Sequence, residues 1–360
     1  MTAQMRLQRR AGMIIVMRLI IRFIALLFPF EQANALDPRI GPFEHTHPQA
    51  LMYPQEHESF DLYGALNGTY TDQTHCEGIA NSFWIKEPPD GNSGDCIRYY
   101  PYGLKQDNNP VALIYFNGDV ILRNIRDERF IAPSYQGITP YSLQYDMTEW
   151  SIQAQTPAIL VARPGIYGSS GDHNMRRYPL EIDLMDDALN QLKQRYSITK
   201  FVLVGQSGGG HIIASLLNRR SDIKAVFIAS GLLSVAKTLT YKANIPRVTG
   251  SLLPDPSGYY DPVTEVAKID RTRPPDIFIL SDVKDRSVPF ATQLDYVRAL
   301  RETGLKPFHI VTTGEGKQHH LLYRQARLGA VMYMRNDTPA DIVKALADPR
   351  TARVKTDAPL

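Results

Sequence analysis

Six short, almost wholly apolar runs mark the chain from residue 111 onward: Val111–Phe116, Ala158–Ala162, Phe201–Val204, Ala225–Ala229, Asp276–Leu280 and Phe308–Val311. A strand with one wet face alternates apolar and polar positions, whereas a strand covered on both faces reads as a continuous apolar run. Helix-length segments separate these runs. Leu184, Ala188, Leu189 and Leu192 fall at helical spacing within Leu180–Tyr196, and Leu294–Thr303 and Leu321–Met334 follow the same pattern. The pattern predicts an α/β fold with one mostly parallel central sheet and helices on both faces.

Upstream the pattern changes. Phe83–Lys86 and Cys96–Tyr100 are aromatic and β-branched runs separated by Pro88-Pro-Asp-Gly-Asn-Ser-Gly94, which predicts an antiparallel hairpin. Residues 36–81 are rich in Pro, His, Tyr and Asn without a period and read as an irregular N-terminal extension. The catalytic-sized body then runs over residues 82–347, and 348–360 reads as a polar, mobile tail. Within the body, Pro246, Gly250, Pro254, Pro256 and Gly258 interrupt the strand and helix alternation, so about 231–268 reads as a small lid inserted near the carboxyl ends of the strands. Loops within 117–150 and 231–268 are expected to supply most of the pocket wall. No internal repeat or low-complexity tract is evident.

Composition sharpens this picture at the N-terminus. The chain of 360 residues is 43% hydrophobic, enough for one large core, and carries a formal charge of +3. Residues 1–35 hold five arginines against one acid, and without them 35 basic and 36 acidic side chains remain. No chain-wide basic field is left to attract nucleic acid. The same segment has the order of an export signal: arginines, the apolar stretch Phe23–Phe28, and Ala33-Asn34-Ala35 as a small-x-small cleavage site, with Met17 an alternative start. A retained anchor is disfavoured, because Arg18 and Arg22 would each cost about 2.5–3.5 kcal/mol near a bilayer centre. The expectation is a secreted or periplasmic protein with no stable span after cleavage. Its two cysteines, Cys76 and Cys96, are then expected to form one disulfide. A metal site is not expected there, since the paired ligand spacing is missing.

The strongest chemical signal is Lys200-Phe-Val-Leu-Val-Gly-Gln-Ser-Gly-Gly-Gly-His-Ile-Ile-Ala-Ser-Leu-Leu217, an apolar strand entering Gly-x-Ser-x-Gly with a helical pattern beginning at once. A serine on such a turn needs small neighbours, which Gly205 and Gly209 supply, and the amide of Gly208 falls at a helix N-terminus where it can face a developing oxyanion. A phosphate loop is disfavoured because no Lys-Ser/Thr ending follows. Serine hydroxyls need a base, and the chain offers Asp282 and Asp285 after the Asp276–Leu280 run and His319 and His320 after the Phe308–Val311 run.

In this order of Ser, Asp and His the chain resembles the α/β-hydrolase superfamily, with features of both its esterase and its dipeptidyl-peptidase-like branches. Asp285-Arg-Ser-Val-Pro289 resembles that family's Asp-x-x-Val-Pro loop, which implies Asp285 as the acid with Asp282 second. Gly316-Lys-Gln-His319 resembles its Gly-x-x-His, which implies His319 as the base with His320 second. Phe116-Asn-Gly-Asp-Val120 resembles its His-Gly-x turn, with Asn117 in place of His, and implies the amide of Asp119 as second oxyanion donor and that of Gly118 as the alternative. An acidic side chain beside an oxyanion would oppose catalysis unless it points elsewhere. Arg163-Pro-Gly-Ile-Tyr-Gly-Ser-Ser-Gly171 resembles another family loop and is read chiefly as support for the elbow, with Tyr167 and His211 as candidate pocket residues.

The resemblance implies acyl transfer to water through Ser207, without a metal or an organic cofactor, on a small-molecule or peptide acyl substrate. Asp261-Pro-Val-Thr-Glu-Val-Ala-Lys-Ile269 is similar to a segment shared by peptidases and esterases of the family. A carboxylic ester is the expected substrate, a peptide or amide the alternative, and a non-catalytic binding protein of the same fold the reading from another class. The oligomeric state is not legible.

Overall fold

The central sheet is built from the predicted runs in a crossed order. A computed structural model describes residues 47–86, 93–124, 126, 128–243 and 258–347. The export segment 1–35, the middle of the insertion and the tail 348–360 lie outside the described residues. The strands are β1 (Ser82–Lys86), β2 (Gly94–Tyr102), β3 (Asn109–Phe116), β4 (Ala158–Val161), β5 (Ile198–Gln206), β6 (Ile223–Ala229), β7 (Asp276–Ser281) and β8 (Phe308–Val311). They lie side by side in the order β8-β7-β6-β5-β3-β4-β2-β1. β1 pairs antiparallel with β2 and β2 antiparallel with β4, while every pair from β4 to β8 is parallel. This is the α/β-hydrolase fold, with the predicted hairpin at one edge.

Helices cover both faces. The main ones are α1 (Pro140–Ala154), α2 (Pro179–Tyr196), α3 (Gly208–Leu217), α4 (Val235–Ala243), α5 (Phe290–Glu302), α6 (Tyr323–Met334) and α7 (Pro339–Ala347). One face of the sheet packs Val226, Ile228, Ile277 and Ile279 with Leu189 and Leu192 of α2, Ile212 and Ile213 of α3 and Val297 of α5. On the other face Phe227, Phe278 and Phe308 stack across three strands at centroid distances of 4.5 and 4.8 Å, and Tyr333 of α6 meets the first two edge-on. Adjacent residues of one strand thus serve opposite cores, which is why the runs are continuous rather than alternating.

Two segments differ from the expectation. Residues 117–150 are mostly structured: Ile121–Arg123 pairs with Arg129–Ile131, and α1 begins at a capping box of Thr139 and Ser142 with Pro140 in its first turn. Leu143, Met147, Trp150 and Ala154 of α1 are buried at helical spacing. The extension likewise holds helices at Leu62–Asn67 and Gln73–Gly78. Cys76 of the second of these is bonded to Cys96 of β2, as predicted, with their Cα atoms 5.5 Å apart. The link ties the chain entering the hairpin to the hairpin itself, and a loop of that size stabilises by roughly 3 kcal/mol.

Candidate active site

The elbow takes shape from β5 and α3. β5 ends at Gln206 and α3 starts at Gly208, leaving Ser207 between them with φ 55° and ψ −113°. A serine with positive φ is strained, and such strain persists only where surrounding structure enforces it. Here the Ser207 amide donates to the Ala229 carbonyl at 2.9 Å, and the Ser207 carbonyl accepts from His211 and Leu232. Glycine at 209 is a steric requirement, since a Cβ there would lie 2.1 Å from the Phe116 carbonyl oxygen. The predicted need for small residues at this turn is thereby explained.

The loop after β3 lies against the elbow. A Cβ on Gly118 would sit 3.5 Å from that of Ser207, so residues 117–119 run beside Ser207. Asn117 donates to the Gly118 carbonyl at 2.8 Å. The Asp119 carboxylate is held by arginines: Arg163 Nη1 is 2.9 Å from Oδ1, Arg176 Nε is 3.3 Å from Oδ2, and Arg177 Nη2 also contacts Oδ2. Burial opposes its charge, but Arg177, Arg163 and Arg176 outweigh burial and hold the carboxyl well below its ordinary range. The pairing offsets the charge of this acid, whose carboxylate stays beside Gly208. Arg163 is fully buried and also binds Glu181 at 2.7 Å, so the loop's arginine draws its acids from the loop after β3 and from α2. None of this was legible from Arg163 alone.

The candidate aspartates and histidines form two adjacent pairs, and the combination expected from the motifs is not the one formed. His320 Nδ1 donates to Asp285, 2.9 Å from Oδ2 and 3.1 Å from Oδ1. His319 Nδ1 donates instead to Asp282 Oδ2 at 3.1 Å. Asp285 and His319, chosen together from their motifs, therefore belong to different pairs. Counting back from a glycine cannot tell which of two consecutive histidines turns towards a given carboxylate, because their side chains leave the backbone in different directions.

Gln206, passed over as the variable residue of Gly-x-Ser-x-Gly, binds this region to the elbow. Its Nε2 donates to the His320 carbonyl at 2.8 Å and its Oε1 accepts from the Leu322 amide at 3.0 Å. The other candidates are packed inside. Tyr167, with φ 51°, lies against Phe60 and Tyr135. His211 is fully buried with Nε2 2.8 Å from the Tyr260 carbonyl, and burial lowers its pKa to about 4.

The insertion is anchored close by. Asp261 accepts from the amides of Val235 and Ala236 at 2.9 and 3.0 Å, capping α4 with a residue from the far end of the same insertion. Among the described residues no cluster suited to a metal ion occurs, and no helix is long and apolar enough to cross a membrane.

Residues 182–333, from α2 through the elbow and both Asp–His pairs to α6, match the prolyl oligopeptidase family. Over this stretch the chain matches a family of serine hydrolases of the α/β-hydrolase superfamily. No curated protein matches it. Among solved structures, the chain is similar to the acylaminoacyl peptidase of Pyrococcus horikoshii, at 13% identity and a TM-score of 0.47, over 71% of this chain and 40% of that one. It is also similar to an esterase of Thermogutta terrifontis, at 15% identity and a TM-score of 0.45, over 71% of this chain and 94% of that one. An arylesterase is similar at 16% identity and a TM-score of 0.44, over 75% of this chain and 86% of that one. The chain thus spans about two fifths of the first of these and most of the other two.

Proposed function

We propose that the hydrolase cleaves a carboxylic ester through Ser207, His320 and Asp285. The supporting observation is the Gln206 clamp, which joins the residue before the nucleophile to the backbone of His320 while Asp285 holds that imidazole by Nδ1. Nε2 of His320 is then the nitrogen that takes the Ser207 proton, and Ser207 attacks the carbonyl. The amides of Gly208 and Asp119 receive the oxyanion, and His320 next activates water against the acyl-enzyme. An ester is favoured because alkoxide departure asks less of the general acid than departure of an amine. The match of residues 182–333 to the prolyl oligopeptidase family favours a peptide or amide as the second reading. Fluorophosphonate labelling with mass mapping tests the nucleophile, and p-nitrophenyl esters beside peptidyl amides test the bond. Ser207→Ala should abolish labelling and reduce hydrolysis by at least about 10⁴-fold. Hydrolysis that survives this substitution would place the chemistry elsewhere and leave a binding role for the elbow.

We further propose that residues 1–35 direct export, a reading supported by the Cys76–Cys96 bond, since disulfides persist in oxidising compartments. N-terminal sequencing of the mature protein should begin at Leu36 and would begin upstream of it if the segment is retained.

A further inference from the structure

The arginine network behind the oxyanion loop carries more charge than its acids balance. Arg163, Arg176 and Arg177 share Asp119, and Glu181 is bound to Arg163, so among the described residues three guanidinium groups face two carboxylates. His173, buried in the same network, adds no counter-charge; burial, Arg163 and Arg176 keep it neutral, and its Nε2 accepts from the Val120 amide at 3.5 Å. Arg176 feels the excess. Burial lowers its pKa to about 10, with Arg177, Arg163 and Arg123 acting in the same direction against Asp119. Its buried Nε makes no hydrogen bond among the described residues, although it lies 3.3 Å from Asp119. A purely structural ion network would be expected to close at neutrality, since uncompensated buried charge is costly.

The network also sits at the reacting centre. A Cβ on Gly208 would lie 2.1 Å from Asp119 Oδ1 and 2.8 Å from Arg163 Nη1, so these charges press on the N-terminus of α3 beside Ser207. Arg177 holds φ 76° although it is not glycine. Its amide donates to Glu181 Oε2, and its carbonyl accepts from Tyr260 at the foot of the insertion. The side chains of Arg176 and Arg177 remain 13% and 17% exposed, so a ligand in solution can reach both. Guanidinium groups match a carboxylate in geometry as well as charge, and one bound carboxylate would bring the network to neutrality.

We propose that this network is the receptor for a carboxylate on the substrate, so that the hydrolase prefers acyl substrates bearing a free carboxylate near the scissile carbonyl. The inference rests on Ser207 as the nucleophile. The test compares p-nitrophenyl hemiglutarate with p-nitrophenyl valerate, which share a five-carbon acyl chain and differ in its charged end. The kcat/KM ratio should favour the hemiglutarate by about ten- to a hundredfold at low salt. It should contract in 0.5 M NaCl. In Arg177→Gln and in Arg176→Gln it should fall to about one, with thermal melts checking that each variant is folded. A wild-type ratio at or below one overturns the inference, as does a ratio unchanged in both folded variants. If neither ester turns over, protection of Ser207 from a fluorophosphonate by glutarate and not by glutaramide supports it, and equal or no protection overturns it. Absence of Ser207 labelling in the wild type overturns the nucleophile and the inference together, whereas labelling with an adverse ratio overturns the inference alone.

Discussion

Two Asp–His pairs stand side by side at the ends of β7 and β8, alike in chemistry and unlike in how they are held. Asp285 has a fully buried side chain and accepts from the amides of Ser287 and Val288 at 2.8 and 2.9 Å, while His320 is 14% exposed and tied through Gln206 to the elbow. Asp282 accepts from the amides of Lys284 and Gly314 at 2.7 and 2.8 Å, and its partner His319 is 32% exposed with φ 53°. A general base works by being held within reach of one proton, so under the proposed mechanism the pair whose backbone is fastened to the neighbour of Ser207 has the advantage. The other pair closes the loop around Gly314. A carboxylate and an imidazole in contact are therefore not enough to name a catalytic base; the decisive difference is what anchors them.

The largest test exchanges the two histidines. His320→Ala should lower kcat/KM by about 10³-fold or more, while His319→Ala should stay within about fivefold of wild type. The reverse result in steady-state kinetics would hand the base to His319 and break the comparison. The acids follow. Asp285→Asn should cost about 10³- to 10⁴-fold in kcat by losing the acceptor that orients the ring. Asp282→Asn should cost no more than about tenfold and should show mainly as a lowered melting temperature, since the Gly314 amide loses part of its acceptor.

Gln206 sharpens the comparison further. Gln206→Ala should lower kcat by about tenfold with little change in KM, because binding groups stay in place while His320 loses its tether. An unchanged kcat would remove the basis for preferring His320. The smallest effect contrasts both pairs with His211, which faces the Tyr260 carbonyl instead of a carboxylate. Burial lowers its folded pKa to about 4, below its unfolded value, so the unfolded chain takes up this proton first. Stability should therefore fall as pH drops from about 6.5 towards 4, by up to about 1.4 kcal/mol per pH unit from this residue. Melting temperatures between pH 8 and pH 5 should show a shallower decline in His211→Gln, and an equal slope would remove His211 from the acid sensitivity.

The strand runs were legible because burial on both faces leaves a local trace, and the elbow because a tight strand-to-helix turn admits few residues. α1 was hidden by composition: Tyr141, Gln144, Tyr145, Asp146 and Glu149 dilute the apolar series of Leu143, Met147, Trp150 and Ala154. The roles of Gln206, Arg176, Arg177 and Glu181 had no local trace, since each depends on a partner brought up by another strand or helix.

The amino-acid sequence by itself determined the α/β class, the hairpin, the pairing of Cys76 with Cys96 and the place of Ser207 on its turn. All of these follow from backbone geometry and burial over a few residues, or from there being only two cysteines. Tertiary structure alone decided which histidine meets which aspartate, and that the Asp119 carboxylate is held by three arginines. Those outcomes depend on side-chain direction and on charges that the fold brings together from distant segments. A one-dimensional spacing records neither.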